Sequence, residues 1–495
     1  MSDNLRSTLI IFLIALQSAS GQAQSFSVNE KHQRAYAFLL NLEFEKANVL
    51  INELRAANKQ DIGPIYLEDL SDFLFIVVTE DRAQFELRKT KMADRLKQIG
   101  KLPDSSPYKL LSVGEIHLHW AFSMMRFGEY LSGAREINKA FHALESNTKK
   151  FPDFLATYKS MGLLHTLIGT VPDNYKWATK LMGVDGTIEQ GIAEMELVIK
   201  RSEGKTELKN LRKETLFLVS FLHINLLNDA SALRKIEQKL QSETGPLMDF
   251  SKASLMSEMG RTNNAIDLIQ NSTKTNSGFP YLNYLLGEMK LARMDADADK
   301  PLLKYVNSFK GNSYLKAAYQ KLAWHALLVQ KSPEKYSSYM KQVEAVGSTM
   351  LDEDKIAQKE FESGVIPNRV LLMARLQFDG GFLQQSLSTL ISSKSSELTT
   401  EDDRLEFTYR LGRIHDEMGN EKEAVSYYMM TIKNGADSKR YFAANSSLML
   451  GKLYEKQGEK AKAIKAFEAC FNFNNSEYKN SIGQKAKAGI LRLKG

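Results

Sequence analysis

Apolar residues recur every three or four positions along most of the chain, which is the spacing of one face of an α-helix. The pattern is clearest in residues 411–428 and 450–467, where the same pair of amphipathic segments occurs twice. The matching positions are Leu411, Gly412, Gly419, Ala424 and Tyr428 in the first copy, and Leu450, Gly451, Gly458, Ala463 and Phe467 in the second. A small residue on each segment lets two helices approach closely, so each copy predicts an antiparallel helical hairpin.

One such hairpin cannot bury its own apolar face, so neighbouring hairpins must stack. Weaker copies of the pattern precede the C-terminal pair, with turns at residues 41–47, 127–128, 259–265 and 380–381. The chain also has only 29 glycines and 10 prolines, too few for a loop-rich β protein. We therefore expect an all-α fold, an α-solenoid of stacked antiparallel helical hairpins that begins near Ser27.

Two further stretches are apolar enough to be buried helices. They are residues 64–78 and 209–227, and neither shows the alternation of a half-exposed strand. We expect both to pack inside the stack.

The first residues have the layout of a secretory signal peptide. An apolar run at residues 9–16 follows Arg6, and Gly21 and Ala23 supply the small residues that a signal peptidase needs. The run is too short to span a bilayer as a helix. We expect export after removal of residues 1–23, with an uncleaved anchor or a chance apolar start as the alternatives.

Residues 161–200 depart from the repeated pattern. Pro172 predicts the end of one helix, a Gly-x-x-Gly sequence predicts a turn, and Thr187 is placed to cap the helix that follows. The short helix in between carries Trp177 among lysines, which suits a membrane surface or the groove of a partner. We favour packing of Trp177 in the core over that functional interpretation.

The leucine–glycine pair, the alanine and the aromatic residue of the two C-terminal copies resemble the tetratricopeptide repeat. The copies depart from it in lacking the closing proline and in their spacing of 39 residues, against the usual ~34. The order of elements in residues 161–200 and 284–324 is similar to bacterial cell-envelope repeat proteins of the Bacteroidota type, and in layout to the eukaryotic tetratricopeptide repeat protein 39 family. The resemblance implies an exported protein of the periplasm or outer membrane without established chemistry.

Stacked hairpins of this kind are typical of a non-catalytic scaffold that binds a protein or peptide on its concave face. Geometry and composition single out six candidate partner-binding residues: Tyr409, Arg413, Asp416, Lys452, Lys456 and Trp177. We expect no nucleic-acid partner, and a peripheral contact with a membrane stays open at Trp177. A permanent subunit of an envelope secretion or outer-membrane assembly is the alternative function.

No pattern predicts a metal, a cofactor or a catalytic centre. His117 and His119 point to different faces of a helix and so cannot share one metal, and the other histidines have no partner at a recognisable spacing. An enzyme with a helical pocket near these two histidines is the least favoured alternative. The acids of residues 295–299 lack the later ligands of a calcium loop, and the single Cys470 is expected in the core. A net charge of +7 is a mild excess for 495 residues.

These expectations divide the chain into five segments. They are a signal peptide (1–23), N-terminal hairpins (24–160), the atypical segment (161–200), degenerate hairpins (201–400), and a C-terminal repeat pair with a capping helix (401–495). Partner binding is expected chiefly in the last segment.

Overall fold

The computed structural model describes residues 24–172, 176–227, 230–275, 278–473 and 477–494. Apart from one isolated bridge between Ser25 and Asp61, the regular structure in those ranges is helical, which confirms the predicted all-α solenoid of helical hairpins. The predicted signal peptide lies outside the described residues. None of the helices in the described part of the chain has both the length and the apolar character needed to cross a bilayer.

The first half of the chain forms helices α1 to α11. They are α1 (Glu30–Leu40), α2 (Phe44–Ala57), α3 (Gly63–Thr79), α4 (Arg82–Lys89), α5 (Met92–Ile99), α6 (Pro107–Arg126), α7 (Tyr130–Lys150), α8 (Ala156–Gly169), α9 (Lys176–Leu181), α10 (Ile188–Arg201) and α11 (Lys209–Leu222). The predicted buried helix of residues 64–78 is α3, which buries residues around most of its circumference. The helix predicted over 209–227 is α11 followed by a π-helical turn at residues 223–227.

The second half forms helices α12 to α26. They are α12 (Ala230–Leu240), α13 (Pro246–Glu258), α14 (Thr262–Thr275), α15 (Tyr281–Ala292), α16 (Asp299–Ser308), α17 (Leu315–Leu328), α18 (Pro333–Ala345), α19 (Asp352–Ser363), α20 (Arg369–Asp379), α21 (Leu383–Ile391), α22 (Glu401–Glu417), α23 (Glu421–Asn434), α24 (Phe442–Lys456), α25 (Lys460–Ala469) and α26 (Lys479–Lys494). The turns of all four weaker copies connect consecutive helices, as predicted.

The helices group into two compact units. Unit 1 consists of Met1–Leu255, Leu268–Leu282 and Phe309–Gly311. Unit 2 consists of Met256–Asp267, Asn283–Ser308 and Asn312–Gly495. The chain therefore changes units within the predicted segment 201–400.

The two C-terminal hairpins of unit 2 pack as the sequence predicts. A Cβ atom on Gly412 would lie 2.7 Å from the Tyr428 ring, and one on Gly451 would lie 2.5 Å from the Phe467 ring. Both distances are shorter than a carbon–carbon contact allows. The missing side chain on the first helix is therefore what lets the aromatic ring of the second helix pack against it.

In unit 1, residues 161–200 build a closer helix pair. Helices α8 and α10 cross at Gly162 and Gly191, where a Cβ atom on Gly191 would lie 2.3 Å from the Gly162 carbonyl oxygen. Thr187 caps α10 as predicted, because its hydroxyl accepts a hydrogen bond from the backbone N–H of Gln190 at 3.1 Å. Gly162 and Gly191 therefore allow the backbones of α8 and α10 to lie in contact.

The core position favoured for Trp177 is wrong. Trp177 on α9 is 65% exposed, and Leu181 at the end of the same helix is 81% exposed. Helix α9 has only 6 residues, too few to hold a stable apolar face against a neighbouring helix. Its two large apolar side chains therefore face solvent.

Candidate functional site

The first helices of the C-terminal hairpins form a row in unit 2. Helix α20 packs on α22, α22 on α24, and α24 on α26. We call this arrangement the first-helix row. It brings together five of the six predicted binding residues, since Tyr409, Arg413 and Asp416 lie on α22 and Lys452 and Lys456 lie on α24.

Arg413 is fixed in the row by aromatic neighbours. Its guanidinium donates a hydrogen bond to the Tyr409 hydroxyl at 3.2 Å and lies over the Phe378 ring of α20, 5.1 Å from the ring centre. Asn445 of α24 donates to the same hydroxyl at 2.6 Å. Tyr409 is only 4% exposed, so it positions Arg413 and offers little surface of its own.

Lys452 lies among other positive charges. Partial burial lowers the pKa of Lys452, and the charges of Lys485, Arg413 and Arg492 lower it further. Arg492 forms an ion pair with Glu455 at 2.6 Å. Arg413, Lys452 and Lys485 are not in ion-pair contact with a carboxylate of the described residues, although the charge of Asp416 acts on both Arg413 and Lys452. Helices α22, α24 and α26 therefore each contribute a cation to this part of the row.

Asp416 and Lys456 are engaged inside the repeats. Asp416 accepts a hydrogen bond from the Tyr428 hydroxyl at 2.9 Å. Lys456 forms an ion pair with Glu421 at 3.3 Å, with 69% of its own side chain exposed. Lys456 is accessible to a partner, but its charge is already matched.

Further cation–ring contacts extend the row towards α17. The Arg375 guanidinium of α20 lies 4.8 Å from the centre of the Trp324 ring, and the Lys321 ammonium lies 5.7 Å from the same ring. Lys321 also pairs with Glu288 at 3.1 Å. These residues were not predicted from the sequence, although the i, i+3 spacing of Arg375 and Phe378 places both on one side of a helix.

His117 and His119 of α6 serve separate contacts. His117 is hydrogen-bonded to Glu136 of α7, whereas Nδ1 of His119 lies 2.9 Å from the Asp69 carboxylate of α3. Both rings are buried, and burial lowers the pKa of His117. This geometry argues against a shared catalytic pocket, the least favoured of the predicted functions.

Two of the other histidines have carboxylate partners that are distant in sequence. His32 lies 2.9 Å from Asp61, and His165 lies 2.7 Å from Glu194. In each case the partner comes from outside the histidine's own helix, so local spacing could not reveal it.

Unit 1 contains a buried set of charged residues that sequence analysis also missed. Lys159 of α8 pairs with Glu115 of α6 at 2.9 Å and with Glu214 of α11 at 2.8 Å. Tyr66 donates a hydrogen bond to Glu115, and Tyr36 donates one to Glu214. We call these five residues the buried charge cluster.

Charge pairing dominates the chemistry of this cluster. Burial alone would raise the pKa of Glu115, but the charges of Lys159 and His119 and the hydrogen bonds from Ser160 and Tyr66 together outweigh burial and lower it. Burial alone would lower the pKa of Lys159, but Glu115 and Glu214 raise it. Burial raises the pKa of both tyrosines, which stay neutral. The available signal in the sequence was a lone charged residue, such as Glu115, inside an apolar helical stretch.

The acidic residues at positions 295 and 297 form ion pairs. Asp295 pairs with Arg293, and Asp297 pairs with Lys290, each at 2.6 Å. In the described part of the chain, no three side chains of His, Cys, Asp or Glu come together in a group suited to a metal ion. Cys470 is buried as predicted, and burial raises the pKa of its thiol to about 12.

Comparison with known proteins identifies the hairpins of the first-helix row. The family model described as tetratricopeptide repeat matches residues 405–429 and 444–477, which cover most of α22, α23, α24 and α25. A search of curated proteins found no match to the chain. Repeats of this family generally mediate binding between proteins. The hairpins that contain residues 405–429 and 444–477 are therefore identified as tetratricopeptide repeats.

Proposed function

We propose that this protein is a non-catalytic scaffold that binds an acidic segment of a partner protein along the first-helix row. The observation that carries the proposal is the set of cations Arg413, Lys452 and Lys485, which form no direct ion pair with a described carboxylate and lie one on each of three adjacent helices. An isolated surface lysine would be ordinary. The charges of Lys485 and Arg413 add to burial in lowering the pKa of Lys452, and such a group of cations is costly to keep together unless an anion approaches it.

The arrangement suits a peptide-like ligand. The cations lie on successive first helices, so an extended acidic segment that runs across the row would meet one after another. Aromatic contacts and the Tyr409 hydroxyl restrict the guanidinium of Arg413, which reduces the entropy lost on binding. Complementary charge would also speed the encounter of the two proteins, and salt would weaken that effect over a Debye length of about 8 Å.

Capture experiments test whether the row is where a partner binds. The full chain carrying Arg413→Glu and Lys452→Glu is compared with the wild type for proteins retained from crosslinked envelope fractions. The control is Lys460→Glu with Lys462→Glu, which makes the same change in net charge on α25, the second helix of that hairpin. Loss of a captured protein with the first pair but not with the second supports the proposal; equal capture places the partner elsewhere.

We also propose that the protein acts in the cell envelope. The support is the apolar run at residues 9–16 and the small residues Gly21 and Ala23. A permanent subunit of a secretion or outer-membrane assembly would use the same surface. Size-exclusion chromatography of a gentle envelope extract distinguishes the two, because a permanent subunit elutes only in the large complex, whereas a scaffold with transient partners also elutes alone.

A second binding mode is favoured by α9, and here we propose peripheral contact with an anionic membrane. The exposed Trp177 and Leu181 flank Lys180 on one short helix, a combination that suits the interface between lipid headgroups and acyl chains. Sedimentation with vesicles that contain phosphatidylserine is the test. Trp177→Ala should reduce the bound fraction, while Trp324→Phe should not; failure of the wild-type protein to sediment excludes this mode.

A further inference from the structure

A small cavity in unit 1 opens beside the buried charge cluster. Its volume is about 110 Å³. Its walls come from α1, α3, α6 and α8, together with residues before α1 and around the start of α11. The walls are mostly apolar, and they include the Phe26 and Tyr108 rings, which stack with their centres 4.2 Å apart.

One polar group in the wall has no partner. Ser112 of α6 lines the cavity, is completely buried, and its hydroxyl has no hydrogen-bond partner among the described residues. An unsatisfied buried hydroxyl destabilises the folded protein. A ligand or water that enters the cavity and bonds to Ser112 would remove that destabilisation.

The electrostatic environment selects the kind of ligand. Glu115, Lys159, Tyr36 and Tyr66 all line the cavity, and the cluster they share with Glu214 contains two carboxylates against one ammonium. Within the buried charge cluster the carboxylates therefore exceed the ammonium by one negative charge. In a low-dielectric site this favours a cation strongly over an anion, and the aromatic walls favour a cation as well.

We propose that this cavity binds a small organic ammonium ion. The apolar part would lie against Phe26, Tyr108 and the leucines of the wall, and the ammonium group would donate to the Ser112 hydroxyl on the side of the excess negative charge. A cavity slightly smaller than one that holds benzene accommodates roughly four to six non-hydrogen atoms. This site is separate from the first-helix row and does not depend on the function proposed for it.

Calorimetric titration of the full chain with three probes of equal size tests the charge preference. The probes are n-butylammonium, 1-butanol and butyrate. We expect one site for n-butylammonium, an affinity at least about tenfold lower for 1-butanol, and no measurable binding of butyrate. Binding of none of the probes, or equal binding of all three, overturns the proposal and leaves a cavity filled by water.

Substitutions locate the site and test its electrostatics. Ser112→Leu fills the cavity and should abolish binding, while Ser112→Ala should weaken it severalfold. The control is Ser446→Ala. Ser446 is another fully buried serine without a hydrogen-bond partner among the described residues, and it lies on α24. The affinity of this variant for n-butylammonium should equal that of the wild type.

Glu214→Gln keeps an acceptor for Tyr36 but removes the excess charge, so the preference for n-butylammonium over 1-butanol should largely disappear. Unchanged selectivity in the folded Glu214→Gln variant contradicts the proposal even if Ser112→Leu fails to fold.

Discussion

The ring of Phe467 occupies the space that a side chain on Gly451 would need. A Cβ atom on Gly451 would come within 2.5 Å of Cδ1 of that ring. The same relationship between Gly412 and Tyr428 recurs one repeat earlier. Packing of the two helices in each hairpin therefore depends on a glycine at one position, which makes the effect of a single methyl group predictable.

Adding that methyl group should destabilise unit 2. Gly451→Ala forces the Phe467 ring or the helix backbone to move, and overpacking of this kind costs about 1–3 kcal/mol. The measurement is the free energy of unfolding of the full chain in denaturant, followed by the fluorescence of Trp324 after replacement of the other two tryptophans.

A glycine in the neighbouring helix α26 provides a control, because its replacement by alanine should change the free energy of unfolding in the opposite direction. Gly483 lies within α26, and a Cβ atom there would meet its nearest neighbour, a carbon of Phe471, at an ordinary 3.5 Å. Gly483→Ala should therefore stabilise unit 2 by about 0.5–1 kcal/mol through the better helix propensity of alanine. Equal effects of the two substitutions would show that the close contact at Gly451 is absent.

Cys470 should be nearly inert towards thiol reagents in the folded protein. Its pKa of about 12 leaves a thiolate fraction at pH 8 roughly a thousandfold below that of a free cysteine. Reaction with a chromogenic disulfide should be slow in buffer, should accelerate as the pH rises, and should become fast in denaturant. Since the chain has one cysteine, the signal comes from Cys470 alone, and rapid labelling of the native protein would contradict its burial.

Stability should fall in mild acid partly because of His117. Burial lowers the pKa of His117 in the folded state, so the unfolded chain takes up more protons below its own histidine pKa of about 6.5. The free energy of unfolding should therefore decrease as the pH falls below that value, by at most about 1.4 kcal/mol per pH unit for one proton.

His117→Gln removes the titrating ring but retains a hydrogen-bond donor for Glu136. The variant should lose less stability than the wild type between pH 7 and pH 5.5. His142→Gln is the matched control for the loss of one imidazole, because His142 is exposed on α7. An identical slope in wild type and His117→Gln would mean that His117 titrates normally.

The spacing of apolar residues was enough to predict the helical hairpins. Glycine, alanine and an aromatic residue at fixed positions indicate that two consecutive helices pack closely. The same reasoning located the cap at Thr187 and the burial of Cys470. It also selected Arg413 and Lys452 on adjacent first helices, although it gave no information about which cations would lack a carboxylate partner.

Contacts between distant residues could not be predicted in this way. Lys159 meets Glu115 and Glu214 only because α6, α8 and α11 pack together, and nothing in their spacing along the chain indicates that. The prediction for Trp177 was wrong for a related reason. Apolar character favours burial in general, but on a helix of 6 residues the Trp177 side chain is 65% exposed. Which charged residues pair and which side chains are exposed depend on the tertiary structure, whereas the helical hairpins depend on the local sequence.

The most direct test of partner binding is a titration of the full chain with a labelled peptide of alternating glutamate and leucine, compared among the wild type, Arg413→Glu and Lys462→Glu. The two variants change the net charge equally, but only Arg413 belongs to the first-helix row. We predict that Arg413→Glu lowers the affinity at least about tenfold, or 1.4 kcal/mol, whereas Lys462→Glu changes it less than twofold. Equal losses in the two variants would show that the peptide senses only net charge, and would contradict a binding site on the first-helix row.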